Sequence, residues 1–489
     1  MPIPSEYGSP IGKSPARLMA QRAVEGRGQH VDDLAMSRMV EVAFVGSPFA
    51  HAEIGNIDTK AASELPGVVA VVTGREIADR MAPWTGTMDN QPALKSVPQY
   101  ALAVDRATWQ GEPVVAVVAH TRSVAEDAAE LVTVDWTEKT PVADMLSALD
   151  PDAPVLHPEL GDNKMYERTA NKGDVDAGFA AATHIVEGTF DFGRHTGVTL
   201  EPRIMTSSWD PSQNQLTVYY GGQAVHMIQV LFSKHLGIPE RDIRVIAQDC
   251  GGSYGIKSHF YGDEFVTAVL SIMLCRPVRY RADRIESFVS DIHARQHRLV
   301  GRMGIDEEGR IIAFEFDDIT AAGAYSAYPR TSCVEANQVL NIAGGPYKIE
   351  NFRAKTTVVF QNMVPTSQYR AVGHPMGIVI CDSLLDKAAV AAGLDRIEIR
   401  RRNLISDDAY PAASPAGIPL HDLSHQACLE KLAKVIDIDA LKADQTAARK
   451  KGIHRGIGFA SFIKGTNPGA LIYGPANVPI SAQDGTTVR

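Results

Sequence analysis

The stretch QDCGGSYGIKSHFYGDE, residues 248–264, decides how this chain reads. It follows a strand-like run, DIRVIA, and leads into a helix-like one, DEFVTAVLSIML. Gly251, Gly252 and Gly255 crowd a Ser-Tyr pair, and Lys257 follows two residues later. Such glycines let backbone N–H groups approach a ligand closely, and ahead of a helix they suit anions or oxo groups. The plainer alternative is a tight turn packed on a neighbour. The spacing fits neither the GxGxxG dinucleotide fingerprint nor the GxxxxGK[ST] phosphate loop. Ser253 or Cys250 as a nucleophile would need a histidine and an acid nearby. His259 is close in sequence, but this is not the GxSxG elbow.

Two flanking segments add polar candidates. Gln223, in YYGGQAVHMIQVLFSKHLGIP, sits after a strand and at the mouth of an amphipathic helix. Its amide can donate to a bound oxygen or simply cap the helix. Arg370, in TSQYRAVGHPMG, lies between Pro365 and Pro375, ahead of an apolar helix. Arginine offers a fixed fork of donors suited to oxyanions, or a surface ion pair. His374 alone reads as packed or solvated. RRRNLI, residues 400–405, reads as a basic helix end that favourably faces the helix dipole.

The 489 residues exceed what one hydrophobic core usually serves. The expected class is α+β. Residues 1–20 read as an arm and 21–140 as a small α/β domain. A Pro- and Asp-rich surface linker covers 141–164, and a larger part covers 165–489. The formal net charge of -10 argues against a nucleic-acid partner. The five cysteines are far apart and form no CxxC, against a disulfide framework or a thiolate-held zinc or iron–sulfur site in this chain. Reduced thiols, no apolar h-region near the N-terminus and no long apolar window predict a cytoplasmic protein without a membrane span. The last residues, ANVPISAQDGTTVR, read as a strand, an Asp-Gly turn and the opening of a return strand. Such edges call for another chain or more of the same polypeptide.

The order of many short blocks says more than any one of them. GRGQHVDDL, SPFAHAEIGNIDT, LPGVVAVVTG, QGEPVVAVVA, AAELVTVDW, GGQAVHMIQ, DCGGSYGIK, QYRAVGHP and RRRNLI occur in one chain. Together they resemble the molybdopterin-binding large subunit of the xanthine dehydrogenase / aldehyde oxidase family, from about residue 20 to the end. The resemblance implies an α/β hammerhead domain up to about residue 140, then the first part of a molybdenum-cofactor-binding domain. It implies a molybdenum-dependent hydroxylase that oxidises an electron-poor C–H, of an aldehyde or an N-heteroaromatic ring, with water as the oxygen source and a glutamate as base. The cofactor implied is molybdopterin, with the cytosine dinucleotide as one admissible form. Separate subunits would carry two [2Fe-2S] clusters and FAD.

Residue by residue, the resemblance gives Gln223 a hydrogen bond to an apical oxo ligand. It sets Gly252, Tyr254 and Gly255 beside the metal, with Tyr where Phe is usual, and it brings in Arg370. Gln223, Tyr254 and Arg370 would thus meet the metal's ligands through side chain or backbone, without ligating it. Ser258, Gln338 and Val372 would line the substrate pocket; they replace an acid, an arginine and an aromatic of purine oxidisers, which argues against a purine. Ala371 replaces the cysteine of carbon monoxide dehydrogenases. The later segments that bear the base glutamate have no counterpart here, so the base is expected on a partner chain and none of the catalytic bases in this one. The competing reading is a non-catalytic cofactor-holding or assembly subunit; retained Gln223 and Arg370 argue against it, because a scaffold needs neither.

Overall fold

Apolar runs, alternating in some and continuous in others, build the first strands, β1 (Val40–Gly46), β2 (Ala52–Asp58), β3 (Val68–Thr73), β5 (Pro113–Ala119) and β6 (Thr133–Glu138), with the short β4 (Arg106–Ala107) between β3 and β5 in the chain. The computed structural model describes residues 12–17, 19–465 and 477–478. The helix Arg122–Ala129 starts where the Thr121 hydroxyl accepts the Val124 N–H. Its Ala125 and Ala128 are fully buried, and the helix packs on β1 and β5. All but the two-residue β4 lie where the sequence pattern predicts strands, and the helix lies in the Ala-rich segment. The hairpin read at residues 476–489 lies outside the described residues, apart from Asn477 and Val478.

The larger part adds β7 (Lys164–Lys172), β8 (His184–Phe192), β9 (Ile204–Asp210), β10 (Gln215–Tyr220), β11 (Ile243–Ala247), β12 (Val278–Arg281), β13 (His297–Ile305), β14 (Ile311–Gly323) and β15 (Phe352–Phe360). One sheet runs β11-β10-β9-β12-β1-β5-β3 and a second β7-β15-β14-β13-β8; β4-β2-β6 form a third. The first sheet therefore crosses the boundary expected at residue 140. β1 lies parallel to β12, with Val40 opposite Val278, and antiparallel to β5. Val40, Val42, Val278 and Tyr280 share one core with the helices Val225–Leu236 and Gly262–Leu274. The two parts are consecutive in the chain but joined in one sheet, because β1 and β12 bury their apolar residues in the same core.

Residues 141–164 are a correction to the surface linker. Val142, Met145, Ala148 and Leu156 enter the core that holds Met165, Tyr325 and Phe360. The Asn163 side chain accepts the Leu156 N–H and donates to the Ala148 and Pro154 carbonyls, while Asn362 accepts the Val142 N–H at 2.8 Å. Widely spaced apolar residues peg the span down although it has no strand or long helix. Arg400 is a second correction. It is fully buried and reaches Asp382 and Asp386, each at 2.8 Å, so it is an internal ion-pair anchor. Arg401 and Arg402 alone remain as the exposed basic end, paired with Glu398.

Gly262 marks how tightly the early segment seats on the larger part. A Cβ there would come 2.2 Å from the Ala101 carbonyl oxygen. Gly262→Ala is expected to cost about 1–3 kcal/mol, read as a lower urea midpoint. An unchanged midpoint would show that the two backbones separate freely.

Candidate functional site

Three loops meet where strands end and helices begin. The first joins β10 to the helix Val225–Leu236 and carries Gln223. The second joins β11 to Gly262–Leu274 and carries the glycine-rich stretch. The third precedes the helix His374–Ala391 and carries Arg370. Gln223 donates its backbone N–H to the Lys257 carbonyl at 3.0 Å, which locks the first loop to the second. The Ser253 hydroxyl donates to the Gln223 side-chain oxygen at 2.5 Å. With that oxygen engaged, the exposed Gln223 side chain keeps its NH2 group to donate outward. Ala224, next to it, takes φ +60°, which turns the chain into the helix.

The second and third loops are stitched by the Arg370 N–H donating to the Tyr254 carbonyl at 2.7 Å. Tyr254 is itself left-handed, with φ +51°, and its ring is 46% exposed. Gly255, at φ +102°, lies so near the third loop that a Cβ would sit 2.8 Å from the Gln368 carbonyl. Gly252, at φ +111°, is left-handed, and an added Cβ would meet Thr199 at an ordinary 3.5 Å. Arg370 is exposed, and its carbonyl receives the Arg295 guanidinium. Val372 is half-buried. Gly373, beside it, abuts Gln338 of the helix Cys333–Ile342, with 2.6 Å between an added Cβ and the Gln338 Cβ. Gln223, Gly252, Tyr254, Gly255, Arg370, Val372 and Gln338 thus lie along loops bonded or packed to one another. Ser258 stands apart: it is buried, its hydroxyl donates to the Gly255 carbonyl at 2.6 Å, and its carbonyl accepts from Arg330. It braces the loop from beneath.

Sequence reasoning missed the groups that hold the loop. Glu201 accepts the Lys257 ammonium at 2.7 Å and the Gly251 N–H at 2.8 Å. Below it, Arg203 has no exposed surface and forks onto Asp263 at 2.7 Å while its Nε reaches Asp291 at 2.6 Å. Its guanidinium also stacks 3.9 Å from the Tyr261 ring centroid. Glu264 lies 3.5 Å from the same guanidinium. One cation cannot neutralise three carboxylates, and burial pushes the Glu264 carboxyl up to about 8 despite Arg203. The only sequence signal for this cluster was two acids in the first turn of a helix, an ordinary helix start.

The nucleophile reading does not survive the geometry. The Ser253 hydroxyl is engaged with Gln223 and the Lys257 N–H, while the buried His259 ring bonds to the Gln368 carbonyl and has no partner at Nδ1 among the described residues. Burial pushes the Cys250 thiol up, against a reactive thiolate. The donors along the loops are a side-chain amide, backbone N–H groups and a guanidinium. Among the described residues no His, Cys, Asp and Glu side chains are grouped to hold a metal ion directly. This donor set fits a group that brings its own oxygen ligands and needs hydrogen bonds to them.

Residues 156–404 match the molybdopterin cofactor-binding domain, and residues 25–140 match the a/b hammerhead domain of aldehyde oxidase and xanthine dehydrogenase. The chain belongs to the aldehyde oxidase and xanthine dehydrogenase family. Its hammerhead domain is the early α/β unit, and the three loops all lie in its molybdopterin-binding domain. Family relatives include the nicotine 6-hydroxylase large subunit of Paenarthrobacter nicotinovorans, 30% identical over 95% of this chain and 57% of that protein. The carbon monoxide dehydrogenase large chain of Hydrogenophaga pseudoflava is 29% identical over 92% of this chain and 58% of its own length. Quinoline 2-oxidoreductase from Pseudomonas putida 86 superposes with a TM-score of 0.92 at 31% identity, over 97% of this chain and 60% of that one. The chain thus spans somewhat more than half the length of these family members. Among the described residues no helix is long and apolar enough to cross a membrane.

The elevated Glu264 carboxyl has a measurable consequence. Its folded value of about 8 lies above the ordinary 4.5, so the native state keeps a proton that the unfolded chain releases. Stability therefore falls as pH climbs between those two values. Glu264→Gln removes that slope. Its urea midpoint should gain on the wild type steadily from pH 5 to pH 8, and a constant difference would show that Glu264 is ionised in the native protein.

Proposed function

We propose that this chain forms one wall of the molybdenum-cofactor site of a hydroxylase, and that it acts as part of a larger complex. The observation that carries the reading is the Gln223 amide, oriented by Ser253 and set beside the Gly252–Gly255 backbone and Arg370. When bound, the cofactor supplies two-electron redox chemistry and activation of water. The chain's own groups bind and orient. The Gln223 NH2 donates to an oxygen ligand of the cofactor. Gly252 and Gly255 present backbone without a side chain of their own, and Tyr254 presents an exposed ring between them. Arg370 adds a positive charge on the same face. Donors fixed before the reaction cost no reorganisation during it, which is the condition for strong electrostatic assistance.

The proton-removing glutamate is proposed to lie in the portion of its relatives' length that these residues do not span. Electron transfer is proposed to pass through [2Fe-2S] and FAD subunits. The substrate class is read as an N-heteroaromatic ring in preference to an aldehyde. Relatives near 30% identity are named for nicotine and quinoline, both of which contain such a ring. Val372 and Gln338 are neutral, so neither sets a charge against an uncharged ring. Ser258, turned beneath the loop, offers such a substrate no acid.

Metal analysis of the co-purified complex should find close to one molybdenum per copy, and a stable complex free of molybdenum would overturn the assignment. In the assembled enzyme Gln223→Ala should lower turnover by about 10²–10³ while the metal stays bound. Turnover at the wild-type level would remove Gln223 from the site.

A further inference from the structure

Behind the Arg370 loop lies a buried line of alternating charges that the cofactor reading does not use. Asp318 on β14 accepts from His297 Nδ1 at 2.8 Å and from the Thr356 hydroxyl of β15 at 2.8 Å. His297 opens β13, and its Nε2 faces Glu335 at 3.7 Å. Glu335, on the helix Cys333–Ile342, accepts the Arg295 guanidinium at 2.5 Å and the Arg295 N–H at 3.0 Å. All four charged residues are at most 6% exposed. Burial alone would discharge His297, but Asp318 and Glu335 outweigh it and hold the imidazole up at about 9. Burial would likewise raise Glu335, but His297 and Arg295 hold it down at about 2. The line is therefore charged, and neutral in sum, at ordinary pH.

Its far end leads to the candidate site. The second Arg295 nitrogen donates to the Arg370 carbonyl, and Glu335 accepts the Gly373 N–H at 3.3 Å. Arg295 also lies over the Tyr369 ring, 5.2 Å from its centroid. Both ends of the turn 370–373 are thus gripped by one ion pair. Ala371 in the turn is strained at φ +74°, beside Gly373, which takes +71° freely, and Arg295 adopts φ +72° to make its contacts. A surface ion pair would need neither the strain nor the burial.

We infer that Arg295 and Glu335 are positioning residues for the Arg370 turn, with His297, itself held by Asp318, as the second cation that faces Glu335. The inference rests on the functional reading above for the purpose of the turn, but the mechanical link stands on the contacts alone. It predicts that the turn loosens when the grip is cut, before the surrounding sheet does.

Amide hydrogen exchange on the assembled complex tests this. Arg295→Lys keeps the charge opposite Glu335 but loses the fork that reaches the Arg370 carbonyl. Peptides covering 369–374 should exchange roughly tenfold faster in this variant, corresponding to about 1.4 kcal/mol of lost protection, while β13 and β14 keep their rates. Glu335→Gln should do the same or more, and Arg295→Lys keeps the test open if that variant does not fold. Unchanged exchange in 369–374, or a rise spread evenly through the second sheet, overturns the inference. Kinetics separate it from the functional reading. A loosened turn with lower kcat at fixed KM supports both. A loosened turn with unaltered turnover upholds the positioning link and overturns the site role of Arg370.

Discussion

One guanidinium without solvent contact organises this part of the molecule. Arg203 stands just ahead of β9 and draws together the first turn of the helix Gly262–Leu274, through Asp263, and the segment before β13, through Asp291. Removing one partner of such a buried pair leaves an uncompensated charge, a penalty of about 3–5 kcal/mol. The helix start is therefore fixed relative to the strand. Two residues from Arg203, Glu201 receives Lys257 and the Gly251 N–H, so the glycine-rich loop is held at its beginning as the helix is held at its own. A loop with three glycines would otherwise lose much conformational entropy on ordering. Here the cost is offset beneath the loop, by charges that never reach the surface.

From that footing the site builds by contact between neighbours. Lys257 passes its carbonyl to the Gln223 N–H, Tyr254 passes its carbonyl to the Arg370 N–H, and Ser253 orients the Gln223 amide. Each loop is thus registered on another by backbone or short side-chain bonds, with little freedom left for long side chains to wander. The arrangement suits a ligand that must be held through several weak donors at once. It also explains why Ser253, one of the two nucleophile candidates, has none of a nucleophile's freedom.

Membership in the aldehyde oxidase and xanthine dehydrogenase family accounts for the order of elements, and the family's two domains meet differently here from what the chain order suggests. The hammerhead strands β1, β5 and β3 extend the same sheet as β9 to β12. The span 141–164 does not swing between two bodies, because its apolar residues are sunk in the core behind β15. The loops that carry Gln223, Tyr254 and Arg370 consequently sit on a base to which both parts of the chain contribute.

Much of this was legible in the sequence for definite reasons. Period-two alternation marked β1, and the glycines of DCGGSYG announced a backbone that must turn and stay bare. The order of the blocks pointed to the family, and with it to Gln223, Tyr254 and Arg370. The sequence could not show β1 beside β12, since 230-odd positions separate the two and pairing leaves no local mark. Nor could it show that Arg203, Arg295 and Arg400 are buried, because an arginine reads as surface until its carboxylates arrive from distant elements. The sequence by itself determined local geometry and kinship: which segments are strands, where the backbone turns, and which residues can donate. Tertiary structure alone decided which of those donors are aimed outward and which, like the Ser258 hydroxyl, are spent inside, because only packing brings together the charges that hold each loop in place.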